Sequence, residues 1–386
     1  MRFGLLNRVC RRRTLVVSAA VVAALLAGGL WRVPFRPTTP CQPKSIGHDV
    51  IEEFDIATCG DFPIVPVTID GVGEFPFVVD TASSFSCVDT TLRSHVTQTR
   101  RTVRFNGRTD EKICSLGNAF LGKSRLPIPS DVLCFDFSGI RKASGHDVRG
   151  MLGMNFLRAY ALRIDFDTGG LSILSAVPEP RGLAVPLSFD KTGCPTIEAR
   201  VSRNVTVPFT PDTGLKGHTV CTLEKRTFDR LACDGMLTET RTGGHAMMIG
   251  GCEARREGRI DSLGIGPFEL ECVLVNDGPC NLLGLEYLSR YRITFDFPNK
   301  RLNLEPGLRV CQTPLNDRTG IRLVRVNGET IVRSIAKAGP AEIAGVAVGD
   351  CVRHVDHRFV HGERGISFET AAKLCAHLEL DLVPRR

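Results

Sequence analysis

Apolar and polar positions alternate with a period of two along most of the chain. Runs such as "FPIVPVTI", "LRIDFDTGGLSIL", "LGIGPFELECVLV" and "YRITFDFPNKRLNL" are broken by glycine, proline, asparagine and aspartate. Alternation with turn residues between the runs predicts short half-buried strands. Only "FLRAY" and "YLSRY" read as helical, for one or two turns each, so the pattern predicts an all-β body.

The pattern also repeats. Pro63, Pro76, Phe77 and Asp80 recur at Pro195, Pro208, Phe209 and Asp212, an offset of 132. Further on, "GMLGMNFLRAYALRIDF" lies on "NLLGLEYLSRYRITFDF", with Leu152, Gly153, Leu157 and Asp165 recurring at Leu283, Gly284, Leu288 and Asp296, an offset of 131. Two similar all-β lobes, residues 60–177 and 192–307, are expected with a linker at 178–191 between them. Two such lobes in one chain imply a pseudo-twofold arrangement, like a dimer fused end to end.

The repeat sorts three similar triplets. Asp80-Thr81-Ala82 maps onto Asp212-Thr213-Gly214, each directly after an apolar strand. Asp167-Thr168-Gly169 maps onto Pro298 and lies between two apolar runs, where aspartate and glycine suit a hairpin turn. The imperfect triplet therefore belongs to the pair, and Asp167 is assigned to a turn.

Two aspartates facing each other at a lobe interface cannot both ionise easily, so the pair holds one proton. The ionised carboxylate can take a proton from water while the protonated one donates to a peptide carbonyl. The chemistry needs neither cofactor nor metal. The threonine hydroxyls of Thr81 and Thr213 can bond across the interface, and small residues at Ala82 and Gly214 let the two loops approach.

These residues resemble a known family. Asp80-Thr81-Ala82-Ser83, Asp212-Thr213-Gly214 and the apolar-apolar-glycine runs ending in Gly153 and Gly284 look like the double-lobed aspartic peptidases of the retropepsin and pepsin group. The resemblance covers about residues 60–306. It implies that Asp80 and Asp212 are catalytic, that Thr81, Ala82, Thr213 and Gly214 support their loops, and that Gly153 and Gly284 back those loops. It also implies a flap at "AMMIGGCEAR", with Gly250 and Gly251 at its turn, and a protein or peptide as substrate. Neither flap region holds a tyrosine, the three being Tyr160, Tyr287 and Tyr291, and three further departures adjoin the pair. Ala82 replaces a glycine and requires negative φ. Pro211 lacks the N–H of a strand residue. Lys216, four residues after Asp212, would hold both carboxylates ionised if it were buried beside them. A catalytically inactive, protease-like peptide-binding scaffold is the competing expectation.

After residue 312 the pattern changes. "VRSIAKAGPAEIAGVAVGDCV" is similar to PDZ modules of bacterial envelope proteases, and residues 313–386 are expected to form one: a partly open barrel with two helices, one of them "SFETAAKLCAHL". The resemblance implies that Gly320 and Ile321 receive a peptide end added as a strand. Gly349 suits a tight turn that Asp350 caps. His354, His357 and His361 are better read as surface of a strand-turn-strand than as metal ligands, since alternation sends His354 and His357 to opposite faces.

Composition changes two things. Of 386 residues, 42% are apolar and 24% charged, which is globular material. Residues 1–31 differ: five arginines and no acid, with the uncharged run Thr14–Leu30. At about 1.5 Å per residue this run just crosses a hydrocarbon layer of about 30 Å. A single-pass signal anchor is expected over residues 1–31, a cleaved signal peptide being the alternative, with residues 32–59 as a linker. Arginines before it keep the N-terminus in the cytoplasm and send the rest to the far side, the periplasmic face of a bacterial inner membrane. Without residues 1–31 the basic count falls from 49 to 44 against 42 acids, a balance of +2, which offers nucleic acid no attraction. The chain has 15 cysteines, 14 of them after Cys10. Cys114 and Cys134 are twenty apart, as are Cys252 and Cys272, and this equal spacing alone suggests two disulfides; buried thiols are the alternative.

Overall fold

The alternating runs become strands almost throughout the computed structural model. It describes residues 49–312 apart from 59, 106–108, 178–180, 203–204 and 250. In the C-terminal part it describes 321–326, 329–335, 340–343, 345–355, 358–359 and 379–383. Of residues 1–48 only Thr14–Val16 is described, so the expected anchor otherwise lies outside the described residues. No helix among the described residues is long and apolar enough to cross a membrane. Strands far outweigh helices among the described residues, which establishes an all-β fold.

Residues 44–316 form one unit built of two halves with matching topology. In the first half, the hairpin Ile64–Ile69 and Gly73–Val79 is followed by Cys87–Asp89. Strand Gly150–Leu152 inserts between them, parallel to Gly73–Val79 and antiparallel to Cys87–Asp89. In the second half, Pro195–Val201, Val205–Pro211 and Cys221–Glu224 receive Leu282–Leu283 in the same way. A further strand then pairs in parallel in each half, Asp131–Phe135 on Cys87–Asp89 and Phe268–Gly278 on Cys221–Glu224. "FLRAY" and "YLSRY" give one-turn helices, Met154–Leu157 and Leu285–Leu288, each starting after a glycine.

A six-stranded sheet joins the halves. Its order runs Val50–Asp55, Gly170–Leu174, Ala161–Asp165, Tyr291–Asp296, Arg301–Pro306, Leu183–Pro186, three strands from each half. Ala161–Asp165 meets Tyr291–Asp296 antiparallel, and Arg163 lies opposite Thr294, its own repeat mate at offset 131. The pseudo-dyad therefore passes through that pair. One apolar core unites the sheets, with Phe77, Leu152, Phe156 and Ile164 from the first half and Phe209, Leu283, Tyr287 and Ile293 from the second, each at most 2% exposed.

The sheet corrects the expected boundaries. Val50–Asp55 was expected in a linker and Leu183–Pro186 in the connection between lobes, yet both are strands, offset by 131 or so like the rest. Their sequences, "VIEEFD" and "LAVP", alternate too weakly to stand out beside the stronger runs. The halves also differ by compensating insertions. The first half has the helix Ser138–Ser144 before Gly150–Leu152, and the second instead has a longer hairpin, Leu237–Met248 with Gly251–Ile265. The offset consequently differs by only one residue between the two ends of the repeat.

Register excludes the expected Cys252–Cys272 disulfide. Cys252 pairs with Met247 near the hairpin tip. Cys272 lies between the partners of Ile260 and Ser262 and so faces Asp261. At about 3.3 Å per residue the two cysteines are about 30 Å apart along the hairpin, far outside disulfide reach. Cys114 faces Val132, which places Cys134 diagonally across adjacent strands. All four are free thiols in the structure. The two pairs are offset by 138, not by the 131 to 132 of the repeat, so they are not repeat mates and the equal spacing carries no structural meaning.

In the C-terminal unit the described strands order as Thr14–Val16, Glu379–Val383, Cys351–Val355, Glu329–Ile335, Ile321–Val326. Pro340–Ile343 forms one helical turn. Gly345 and Gly349 take positive φ, and the Ala347 N–H donates to the Asp350 carboxylate at 2.9 Å, so Asp350 closes the turn before Cys351–Val355. The expected helix "SFETAAKLCAHL" and Gly320 lie outside the described residues, while Ile321 opens a strand.

Candidate active site

Each half delivers one aspartate at the end of an apolar strand. The Asp80 N–H donates to Leu152 O at 3.0 Å and the Asp212 N–H to Leu283 O at 2.9 Å. The inserted strand thus fixes where each loop leaves its sheet. Both aspartates are buried, at 8% and 6% exposure. Each Oδ1 accepts a backbone N–H two residues on, from Ala82 and from Gly214, both at 2.8 Å.

The threonines cross the dyad. Thr81 Oγ1 donates to Pro211 O at 2.6 Å, and Thr213 Oγ1 donates to Val79 O at 2.6 Å. Each hydroxyl also accepts the other threonine's N–H at 3.2 Å. Four reciprocal bonds, all buried, hold the two loops face to face.

Glycine is required where the loops meet. A Cβ on Gly214 would stand 2.3 Å from Asp80 Oδ2, so the absence of a side chain there lets one loop reach the other half's carboxylate. Gly153 and Gly284 back the loops: a Cβ would come within 2.5 Å of the Phe85 carbonyl and 3.0 Å of Leu215 O. The residues after them close the contact, Met154 N–H to Ser83 O at 2.7 Å and Leu285 N–H to Leu215 O at 2.9 Å.

The three departures can now be placed. Ala82 is not among the residues with positive φ, so its methyl is accommodated without backbone strain. Pro211 costs one hydrogen bond: its counterpart Val79 donates to Pro63 O at 2.8 Å, and proline has no N–H to give Pro195. Its carbonyl still accepts from Thr81. Lys216 points away from the pair. Its Nζ lies 2.9 Å from Asp61 Oδ1, and His146 Nε2 is 3.2 Å from the other Asp61 oxygen. Burial pushes Asp61 up, but the Lys216 and Phe62 hydrogen bonds outweigh it and bring the carboxyl below its ordinary range.

The pair has the electrostatics of a shared proton. Burial pushes Asp80 up to about 6, against the Ala82 and Ser83 N–H groups that stabilise its ionised form. Burial, and then the charge of Asp80, push Asp212 well above the carboxylate range. The two carboxyls therefore titrate as one unit that keeps a proton well above the ordinary carboxylate range.

The long hairpin of the second half reaches across to the first. Ile249, in its turn, packs against the cluster of Val78, Phe137 and Met151, and Met247 Sδ lies 3.0 Å from where a Gly139 Cβ would be. Gly251 takes φ +135 at the turn, and Gly250 lies outside the described residues. Met248 Sδ accepts from Arg255 Nη2 at 2.9 Å. Asp167 stays in its hairpin turn, where its carboxylate accepts the Leu308 N–H at 2.8 Å.

Sequence reasoning missed Cys194, whose Sγ donates to Ala82 O at 3.3 Å and whose thiol burial pushes up to about 12. Its position, repeat mate of Phe62 and next to Pro195, was the available signal. Asp61 and His146 were also missed, because nothing local marks them. No group of three or more potential metal ligands occurs among the described residues. Of the expected non-ligand histidines, His354 is in strand Cys351–Val355, opposite Phe359, and His357 and His361 lie outside the described residues. No protein-family model matches the chain, and no curated protein matches it significantly.

Proposed function

We propose that the chain is an aspartic endopeptidase of two retropepsin-like lobes, held on the outer side of a membrane by an N-terminal anchor and carrying a C-terminal PDZ module that binds peptide ends. The observation that carries this reading is the reciprocal loop pair: two buried aspartates, each two residues from an N–H that meets its Oδ1, joined by threonines that exchange bonds across the dyad.

In the proposed reaction the ionised Asp80 takes a proton from a water lying between the carboxyls. The water oxygen attacks the peptide carbonyl carbon, and the Asp212 proton passes to the carbonyl oxygen. Collapse of the tetrahedral intermediate breaks the C–N bond, the departing nitrogen takes the proton held by Asp80, and Asp212 recovers its own. The hairpin carrying Met247 and Ile249 acts as the flap over bound peptide.

The competing reading, an inactive peptide-binding scaffold, draws on Ala82 and on the hydrogen bond absent at Pro211. A statine-containing peptide separates the two, because its hydroxyl takes the place of the attacking water. The peptidase reading expects binding at least 100-fold tighter than the matching substrate peptide, with the difference lost in Asp212→Asn. Equal affinity for both peptides supports the scaffold.

A further inference from the structure

The outer face of the six-stranded sheet carries a polar row that the catalytic reading does not use. Strand registers align Glu53, Ser172, Arg163, Thr294, Asn303 and Ala184 across all six strands. Their neighbours along each inner strand, such as Leu162 and Ile164, Ile293 and Phe295, Leu302 and Leu304, belong to the core. Alternation therefore sends the row to the opposite face. The row is pseudo-symmetric by position but not by chemistry: Arg163 answers Thr294, and Ser172 answers Asn303.

Two members lack partners. Asn303 is 2% exposed, and both its Nδ2 and its Oδ1 are without a hydrogen bond among the described residues. Arg163 is half-buried, and makes no ion pair or hydrogen bond with a described residue, although the charges of Glu305 and Glu53 support it against burial and the charges of Arg292 and Arg181. The next row does not supply one, since Arg292 there is engaged by Asp165 and Glu305. Beyond, Asp296 is held by Asn299. A buried primary amide with both ends open is costly. A guanidinium beside it offers a planar fork that fits two oxygens at once.

We propose that this row binds a small carboxylate that carries an adjacent N–H or O–H donor, such as an N-acylated amino acid, the end of a peptide chain, or a hydroxy acid. The Arg163 fork takes the carboxylate, the Thr294 side chain lies beneath, and Asn303 accepts from the ligand's donor while its N–H group returns a bond. Arg163 and Asn303 are two strands apart, about 10 Å at the backbone. The reach of an arginine shortens that gap to the length of two or three ligand atoms. An amide satisfies the same ligand in either orientation, since it presents one donor and one acceptor either way.

The test is titration of the purified full-length chain with N-acetylglycine, lactate, acetate and inorganic phosphate, followed by calorimetry. N-acetylglycine and lactate are expected to bind at least tenfold tighter than acetate or phosphate. Arg163→Gln should abolish binding, and Arg163→Lys, which keeps the charge but loses the fork, should weaken it about tenfold. Asp80→Asn should leave it unchanged, which separates this site from the peptidase reading. Absence of binding at 20-fold millimolar excess, equal binding of acetate and N-acetylglycine, or binding that survives Arg163→Gln would overturn the proposal.

Discussion

Thr81 and Thr213 each donate a hydroxyl to the strand that leads into the other's loop, at 2.6 Å in both directions. Removing either hydroxyl leaves a buried carbonyl and a buried N–H unpaired. Thr81→Ala and Thr213→Ala should each destabilise the unit by about 2 kcal/mol, and the double variant by less than the sum because the residues share one network. Thr→Ser at either position should cost about 1 kcal/mol or less. Urea denaturation of the five variants measures this.

Gly214 faces the Asp80 carboxylate too closely for a side chain. Gly214→Ala should displace Asp80 and lower kcat/KM by at least 100-fold. Ala82→Gly should alter it by less than threefold, since Ala82 already sits without strain. Peptide cleavage kinetics on both variants test the asymmetry.

The pair also makes stability depend on pH. Both carboxyls are raised in the folded protein above the unfolded value of about 3.8. Their contribution is therefore fully present below about pH 4 and is lost as pH rises through about 6 for Asp80 and higher for Asp212. For Asp80 alone the loss between pH 4 and pH 8 is about 2 kcal/mol. Denaturation of wild type and Asp80→Asn at both values should show a shallower fall for the variant. Turnover should rise through about pH 6 as the pair loses one proton and keeps the other, giving a near-neutral optimum.

Arg290 is fully buried. It bonds Glu286 and the carbonyls of Arg309 and Gln312, at a position where its repeat mate is Ala159. Arg290→Ala leaves Glu286 with Arg309 as its remaining partner and the Arg309 and Gln312 carbonyls without their donor, and should cost about 3 kcal/mol. Arg290→Lys should recover only part of this, as read by thermal denaturation.

Much of the fold was legible in the chain because the strands alternate strongly and the repeat aligns them. The repeat also chose Asp80 over Asp167, although Asp167 has the better triplet. Val50–Asp55 and Leu183–Pro186 escaped because sheet membership there depends on partners supplied by the other elements, not on local pattern. The equal cysteine spacings misled because an equal distance in sequence does not by itself bring two thiols together. Asp61 and His146 could not be assigned to Lys216, because their meeting is a tertiary event across residues 61, 146 and 216.

The central claim is that Asp80 and Asp212 together cleave peptide bonds. The most direct measurement is mass-spectrometric detection of cleavage of a mixed peptide library by the purified full-length chain between pH 5 and 8. The account predicts cleavage by wild type and none by Asp80→Asn or Asp212→Asn, both variants remaining folded. Cleavage that persists in either variant would contradict it, as would a folded wild type that cuts nothing in the library.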